Sequence, residues 1–290
     1  MISKTLKRYE QAKKKGTLYI VPTPIGNLTD ITCRALSILS KVDIIAAENI
    51  NHTKILVKHY NIITNIISIN KHNEKAKSKK IIVQLKNGKN IALVSNAGTP
   101  TINDPGRYLI NNCYQFKIQI VPLPGPCSAI TALSASGFST ERFCYEGFLP
   151  SKSIARCKLL HDLKEETRTM IFYETPHRII SSMNDIIKEL GSDRNITIAK
   201  ELTKQWESIY RNTSINLLSW IKSENFKIKG EIIIIISGFK AKKPIIIPKI
   251  ALKTLQILKL HLSSKLAIQI TAKLHDLSKN LLYDHHSLTK

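Results

Sequence analysis

The feature that most narrows the fold of this sequence is a repeating unit: a short apolar run, a loop or turn, then a segment whose apolar residues recur at helical spacing. Leu18 to Val21 is such a run and stops at Pro22, as a buried strand entering a loop does. Asp30 then suits the cap of a helix in which Ile31, Ala35, Ile38 and Val42 share one face. The unit recurs with a strand over Ile44 to Ala47, helices over Thr53 to His59 and Lys75 to Leu85, the second closed by Asn87-Gly88, and a strand over Ile91 to Ser95. Asp104-Pro105 predicts a helix start, with the helix running to Tyr114. A strand over Ile118 to Val121 and a helix over Ser128 to Ser136, stopped by Gly137, complete the series. Alternation of this kind predicts an α/β domain with a largely parallel sheet.

A second α/β domain is expected from near Ser139, with strands at Phe143 to Phe148, Thr169 to Tyr173, Ile196 to Ala199 and Glu231 to Ser237 between helices. Ile232 to Ile236 is apolar at every position, which fits a strand covered on both faces. The expected organisation is a basic, mobile start over 1–16, α/β domains over 17–138 and 139–240, and a linker with a small helical basic tail over 241–290. Lys242, Lys243, Pro244 and Pro248 mark the linker. A length of 290 residues agrees with two domains and an appendage, and two domains can build a cleft.

Charge narrows the partner. Lys and Arg number 44 against 21 Asp and Glu, a formal net charge of +23, and a polyanion is the natural counterpart. Biased codon usage is the competing source of lysine, since tracts such as Ile232 to Ile236 and Lys13 to Lys15 are what A/T drift produces. The five cysteines, Cys33, Cys113, Cys127, Cys144 and Cys157, show no Cys-x-x-Cys spacing and indicate neither a disulfide framework nor a zinc site. The basic start lacks the apolar core of a signal peptide, and no apolar run approaches the roughly 20 residues of a membrane span. A cytoplasmic protein with no membrane partner is the expectation.

In open α/β sheets ligands sit beyond the carboxyl ends of strands. The loops there read Pro22-Thr23-Pro24-Ile25-Gly26-Asn27-Leu28, Ser95-Asn96-Ala97-Gly98-Thr99-Pro100 and Pro122-Leu123-Pro124-Gly125-Pro126-Cys127-Ser128. Proline fixes φ and glycine admits a ligand close to the backbone, so such loops present N–H and C=O groups to a small polar molecule. Any one of them is also an ordinary tight turn; three equivalent loops weaken that reading. None is a G-x-G-x-x-G loop or a phosphate loop, so neither a nicotinamide nor an ATP site is implied, and no His/Cys cluster has metal spacing.

Together with Leu18-Tyr19-Ile20-Val21 before the first loop, these loops resemble the ribosomal small-subunit methyltransferase I family of the tetrapyrrole methylase superfamily. The likeness continues through Phe143-Cys144-Tyr145-Glu146-Gly147-Phe148-Leu149-Pro150, Phe172-Tyr173-Glu174-Thr175-Pro176-His177-Arg178, Glu201-Leu202-Thr203-Lys204 and Lys229-Gly230-Glu231. Each motif is weak alone; their order is specific. The resemblance implies a two-domain tetrapyrrole-methylase-like fold with S-adenosylmethionine in the cleft between domains, and a homodimer. It places Gly98, Thr99, Pro100, Ile102, Cys127 and Ser128 at the cofactor, Pro24 and Gly26 along the same cleft, and backbone near Phe172 and Ala199 on the far side. The implied substrate is the 2′-hydroxyl of a decoding-centre cytidine in 16S rRNA of the small ribosomal subunit. The chain departs from the family pattern at Asn96, where Asp is usual, and at Asn49-Ile50-Asn51, where Asp-Thr-Arg is usual.

A ribose hydroxyl is a poor nucleophile at neutral pH, so a side chain or water must take its proton. Glu201 and Lys204 head the candidates offered by the resembling motifs, with Glu174 and His177 behind them. An ion pair of Glu201 with Lys204 or Arg178 that merely holds the cleft is an equal alternative. His177, Arg178 and the tail residues Lys265, Lys273 and Lys279 are candidates for RNA contact, against packing in the first turn of a helix begun at Pro176 and, for the tail, helices whose apolar residues simply pack against one another. Tyr145, Phe148, Tyr173 and Trp206 are candidates for stacking on an unpaired base, against ordinary core roles. Two other readings remain open: a methylase of a tetrapyrrole carbon, and a degraded homologue that binds RNA or assists ribosome assembly without chemistry.

Overall fold

The computed structural model describes residues 15–223, 230–240, 247–280 and 282–283. Strands β1 (Thr17–Ile20), β2 (Ile44–Ala47), β3 (Asn65–Ser68), β4 (Ile91–Val94) and β5 (Gln119–Pro122) form a parallel sheet in the order β3-β2-β4-β1-β5. Helices α1 (Cys33–Lys41), α2 (Ile50–His59), α3 (Glu74–Lys86) and α4 (Arg107–Gln115) cover it. Successive strand residues point to opposite faces, so each continuous apolar run serves two cores. Leu18, Ile20, Ile44, Ala46, Ile91 and Leu93 pack on α3 and α4, while Ile45, Ala47, Ala92 and Val94 pack on α1 and α2.

Two helix starts differ from the sequence-based expectation. At α1 the cap is Thr32, whose Oγ1 accepts from the Ala35 N–H at 3.1 Å, while Asp30 ends a 3-10 turn over Leu28–Asp30. At α4 the free N–H groups of Gly106 and Tyr108 donate to Glu74 Oε1 at 2.9 and 2.8 Å, so a carboxylate of α3 does the work expected of Asp104. The helix starts two residues late because Gly106 takes φ +132°, outside the helical region. Strand β3 escaped the sequence pattern because only Ile66 and Ile67 of it are apolar, as an edge strand permits.

The second sheet holds β6 (Phe143–Phe148), β7 (Thr169–Glu174), β8 (Asn195–Lys200), β9 (Ser208–Thr213) and β10 (Ile232–Ile236) in the order β6-β7-β10-β8-β9. β6 and β7 are parallel; every other pairing is antiparallel. The all-isoleucine β10 is central and buried throughout, as its composition predicts. Ile232, Ile234 and Ile236 join the core of α6 (Ser153–Asp162), α7 (Ile179–Leu190) and α8 (Ser214–Lys222), and Ile233 and Ile235 face α5 (Ser128–Ser136). Although α5 follows β5 in the chain, its Ala129, Ala132 and Leu133 pack on this second sheet beside Ile171, Ala199 and Leu202. β9 is a mostly exposed, polar edge strand, so its sequence carries no strand pattern.

Residues up to Phe239 form one compact unit and those from Lys240 another. In the second, α9 (Lys249–Lys259) and α10 (Ser264–Leu274) pack through Ala251, Leu255, Ala267, Ile268 and Ala272, with Ile247 and Leu282. The linker residues Lys242, Lys243 and Pro244 and most of the basic start lie outside the described residues. No helix among the described residues is long and apolar enough to cross a membrane.

Candidate functional site

Because β4, β1 and β5 are neighbours in a parallel sheet, the Gly/Pro loops that follow them emerge side by side at its carboxyl edge. Hydrogen bonds stitch them together. Thr23 and Gly98 exchange N–H to C=O bonds of 2.9 Å each, the Thr23 hydroxyl donates to Ser95 O at 3.2 Å, and the Thr99 hydroxyl donates to Pro126 O at 2.9 Å. Gly98 holds φ +73° within this bridge. Gly125 serves loop packing: a Cβ on it would come within 2.7 Å of Pro22 Cβ.

Against these loops lie the ends of β7 and β8 and the start of β10. The cavity between them measures about 250 Å³ and is walled by Gly98, Thr99, Ile102, Asp104, Cys127 and Ser128 on one side and by Tyr173, Ala199, Glu201, Leu202 and Ile233 on the other. A second cavity of about 290 Å³ is lined by Pro24, Gly26, His52, Asn96 and Lys204, with Ile25, Ala97 and Glu231 common to both. Of the residues expected at the cofactor, Gly98, Thr99, Ile102, Cys127, Ser128 and Ala199 meet in the first cavity. Pro24 and Gly26 line the second. Pro100 is buried outside either lining, and Phe172 is 0% exposed in the core of the second sheet.

Glu201 and Lys204 stand in a tight turn after β8, where Glu201 and Thr203 take φ +51° and +64°. Glu201 Oε1 accepts from Lys204 Nζ at 2.8 Å and from the Glu231 N–H at 2.9 Å, and Lys204 also reaches Glu231 at 3.3 Å. Burial pulls the Glu201 pKa up, but the hydrogen bonds from Lys204 and Glu231 outweigh it and leave the carboxyl below its ordinary range. Gly26 packs on this turn, since a Cβ there would collide with Lys204 Cγ and the Leu202 carbonyl.

Glu174 is fully buried and accepts from Arg178, Ser182 and the Thr175 N–H; the Arg178 pair spans 2.6 Å. Arg178 is thereby tied to the fold, whereas His177 is exposed on the 3-10 turn Pro176–Arg178. Tyr145 and Phe148 meet Tyr173 edge-on at 5.2 and 5.4 Å, and the Tyr173 hydroxyl bonds Ser128 Oγ at 2.7 Å. Three of the aromatic residues considered for base stacking thus pack on one another; Trp206 is 63% exposed. Lys265 and Lys273 are exposed on α10, and Lys279 is exposed beyond it.

The structure adds a carboxylate that sequence patterns had assigned to helix capping. Asp104 lines the first cavity, and its pKa is pushed up to about 6 by burial and by the negative charge of Glu48, against a hydrogen bond from Ser95 and the charge of Lys71. Glu48 Oε2 accepts from the Asn96 N–H at 3.2 Å. Asn49 caps α2 through its side-chain oxygen, which accepts from the N–H groups of Asn51 and His52, so an amide supplies the acceptor an aspartate would.

Residues 17–217 match the family model of the tetrapyrrole (corrin/porphyrin) methylases. The chain is 62% identical over 273 residues to a protein of Buchnera aphidicola subsp. Baizongia pistaciae named ribosomal RNA small subunit methyltransferase I, covering 94% of each. It is 47% identical to the protein of that name from Escherichia coli O157:H7, covering 97% of this chain and 98% of that one. Among solved structures, a cobalt precorrin-4 methyltransferase superposes with a TM-score of 0.57 at 16% identity, over 76% of this chain and 94% of that one. A diphthine synthase superposes with a TM-score of 0.58 at 11% identity, over 77% and 90%. Those structures establish the shared two-sheet fold.

Proposed function

From the premise that the chain belongs to the ribosomal RNA small subunit methyltransferase I family, within the tetrapyrrole methylases, we propose that it moves a methyl group from S-adenosylmethionine to the 2′-hydroxyl of a cytidine in 16S rRNA. Family membership makes it a methyltransferase of small-subunit ribosomal RNA. The donor and the atom that receives the methyl are the proposal.

The observation that carries it is the first cavity. The stitched loops after β4 and β5 turn backbone and small side chains toward it, and Ile25 of the loop after β1 joins Ala199, Leu202 and Ile233 in an apolar wall. A molecule with a flat apolar ring and a polar amino-acid end matches a cavity whose walls are divided in that way. Gly98, Thr99, Cys127 and Ser128 would hold it through backbone and hydroxyl groups, with Ile102 and Ala199 against the apolar part. When bound, the sulfonium supplies an activated methyl group. The chain's own contribution is position and electrostatics: Gly26 seats the first loop on the turn at Glu201, and the Glu201–Lys204–Glu231 cluster fixes that turn.

Pro24, Gly26 and Lys204 put the second cavity beside the first, where an acceptor can approach. A formal +23 over the chain attracts RNA, and His177, Lys265, Lys273 and Lys279 are exposed cations or potential cations suited to phosphate contact. A homodimer, as in the resembling family, is part of this proposal. The test is transfer of label from S-adenosylmethionine to small ribosomal subunits that lack the methyl group, followed by mapping of the ribose. Label on one cytidine 2′-oxygen supports the proposal; label on a base, or none, refutes it.

A further inference from the structure

Asp104 is placed in the first cavity by a loop of unusual backbone conformation. Thr101 and Asn103 hold φ +74° and +68°, and Gly106 holds φ +132°, so three residues within six occupy the region that L side chains rarely adopt. Backbone strain of this kind gathers at functional sites and persists only where the surroundings enforce it. The Asp-Pro pair before α4 would ordinarily cap the helix, but Glu74 takes both of the N–H groups that the structure shows capped. Asp104 is thereby released from that task and turned to the cavity wall beside Gly98 and Thr99.

We propose that Asp104 is the catalytic base that takes the proton from the acceptor hydroxyl during methyl transfer, an assignment that rests on the methyltransferase reading above. The hydroxyl oxygen bonds to the methyl carbon as the carbon–sulfur bond breaks, the bonding pair stays on sulfur, and the hydroxyl proton passes to the Asp104 carboxylate and then to solvent. Glu201 is poorly suited to this role, because Lys204 and the Glu231 N–H both hold its Oε1 and its basicity is lowered. Asp104 faces Glu48, Lys71 and Tyr145, with the Ser95 hydroxyl beside it. Burial and Glu48 raise its pKa to about 6, so at neutral pH it is ionised yet more basic than an ordinary carboxylate.

The experiment uses the full chain, S-adenosylmethionine and unmethylated small subunits. Asp104→Asn should lower kcat by about a hundredfold or more while calorimetric affinity for S-adenosylmethionine is unchanged. In the unaltered protein kcat should fall through an acid limb near pH 6, and Glu48→Gln, which removes the like charge, should move that limb to lower pH. A second readout needs no donor: carbon NMR of the ligand-free protein should show one aspartate titrating near 6, absent in Asp104→Asn. An unchanged kcat in Asp104→Asn, or an acid limb indifferent to Glu48→Gln, overturns the assignment. Loss of donor affinity in Asp104→Asn would show that the carboxylate holds the donor instead, and overturns it too. Absence of transfer by the unaltered protein would overturn the methyltransferase reading itself, and the assignment with it.

Discussion

Replacing Gly98 by alanine isolates the contribution of one backbone conformation to the cavity. Gly98 sits at φ +73° with its N–H and C=O both bonded to Thr23 at 2.9 Å. An added Cβ would lie 3.4 Å from Ile25 Cγ2 and 3.7 Å from Pro126 O, close to ordinary contact, so sterics outside the residue contribute little. The cost is then the left-handed conformation itself, about 1 to 2 kcal/mol for a residue with a Cβ. Escape by rotating the peptide would sacrifice two backbone hydrogen bonds at about 1 kcal/mol each, so the chain gains nothing by moving. In a unit of this size such a loss should lower Tm by roughly 2 to 8 °C. Gly191→Ala is the control, for Gly191 holds φ +97° with nothing within 4 Å of the added Cβ and is not part of the cavity wall. Gly98→Ala and Gly191→Ala should both lose stability, and Gly98→Ala alone should bind S-adenosylmethionine more weakly by calorimetry. Gly98→Val, bulkier at the same wall, should weaken it by about tenfold or more. Folded Gly98 variants with unaltered donor affinity would remove this loop from the site.

Glu174→Ala strands Arg178, Ser182 and the Thr175 N–H around a side chain that is 0% exposed, and should cost about 3 to 5 kcal/mol in urea unfolding. The cavity carboxylates should act on stability in opposite directions. Glu201, held below its ordinary pKa, stabilises the fold above the unfolded-state value of 4.5 and loses that contribution as pH falls through its lowered value, so Glu201→Gln should shrink the acid-side drop in Tm. Asp104, raised from 3.8 to about 6, favours the fold at low pH and loses that contribution as pH rises through 6, so Asp104→Asn should be more thermostable than the parent at pH 7. A chain ending at Lys240 keeps the first compact unit and should retain S-adenosylmethionine binding, while its RNA affinity and salt slope in filter binding should both decrease.

Elements whose burial is enforced by composition are legible in the sequence. Apolar runs such as Ile44 to Ala47 and Ile232 to Ile236 must be covered on both faces, and Gly137 must end the helix before it, so their places in the chain follow from local chemistry. The edge strands β3 and β9 were illegible because an edge needs apolar residues on few of its positions, and polar segments such as Ser208 to Thr213 are then shared with loops. The three Gly/Pro loops were legible as candidate ligand loops; that they make one wall follows from the order β4-β1-β5, which is a property of sheet pairing. Tertiary structure alone decided which carboxylate caps α4 and which faces the cavity. Asp104 has the local signature of a cap, yet the Gly106 N–H is taken by Glu74, 32 residues before Gly106 in the chain. It also decided that Gly26 and Lys204 touch and that α5 leaves the sheet it follows in sequence to pack on the other. Such outcomes depend on which distant groups the packing brings within hydrogen-bond or van der Waals reach, and a periodic pattern of residue types carries no record of those distances.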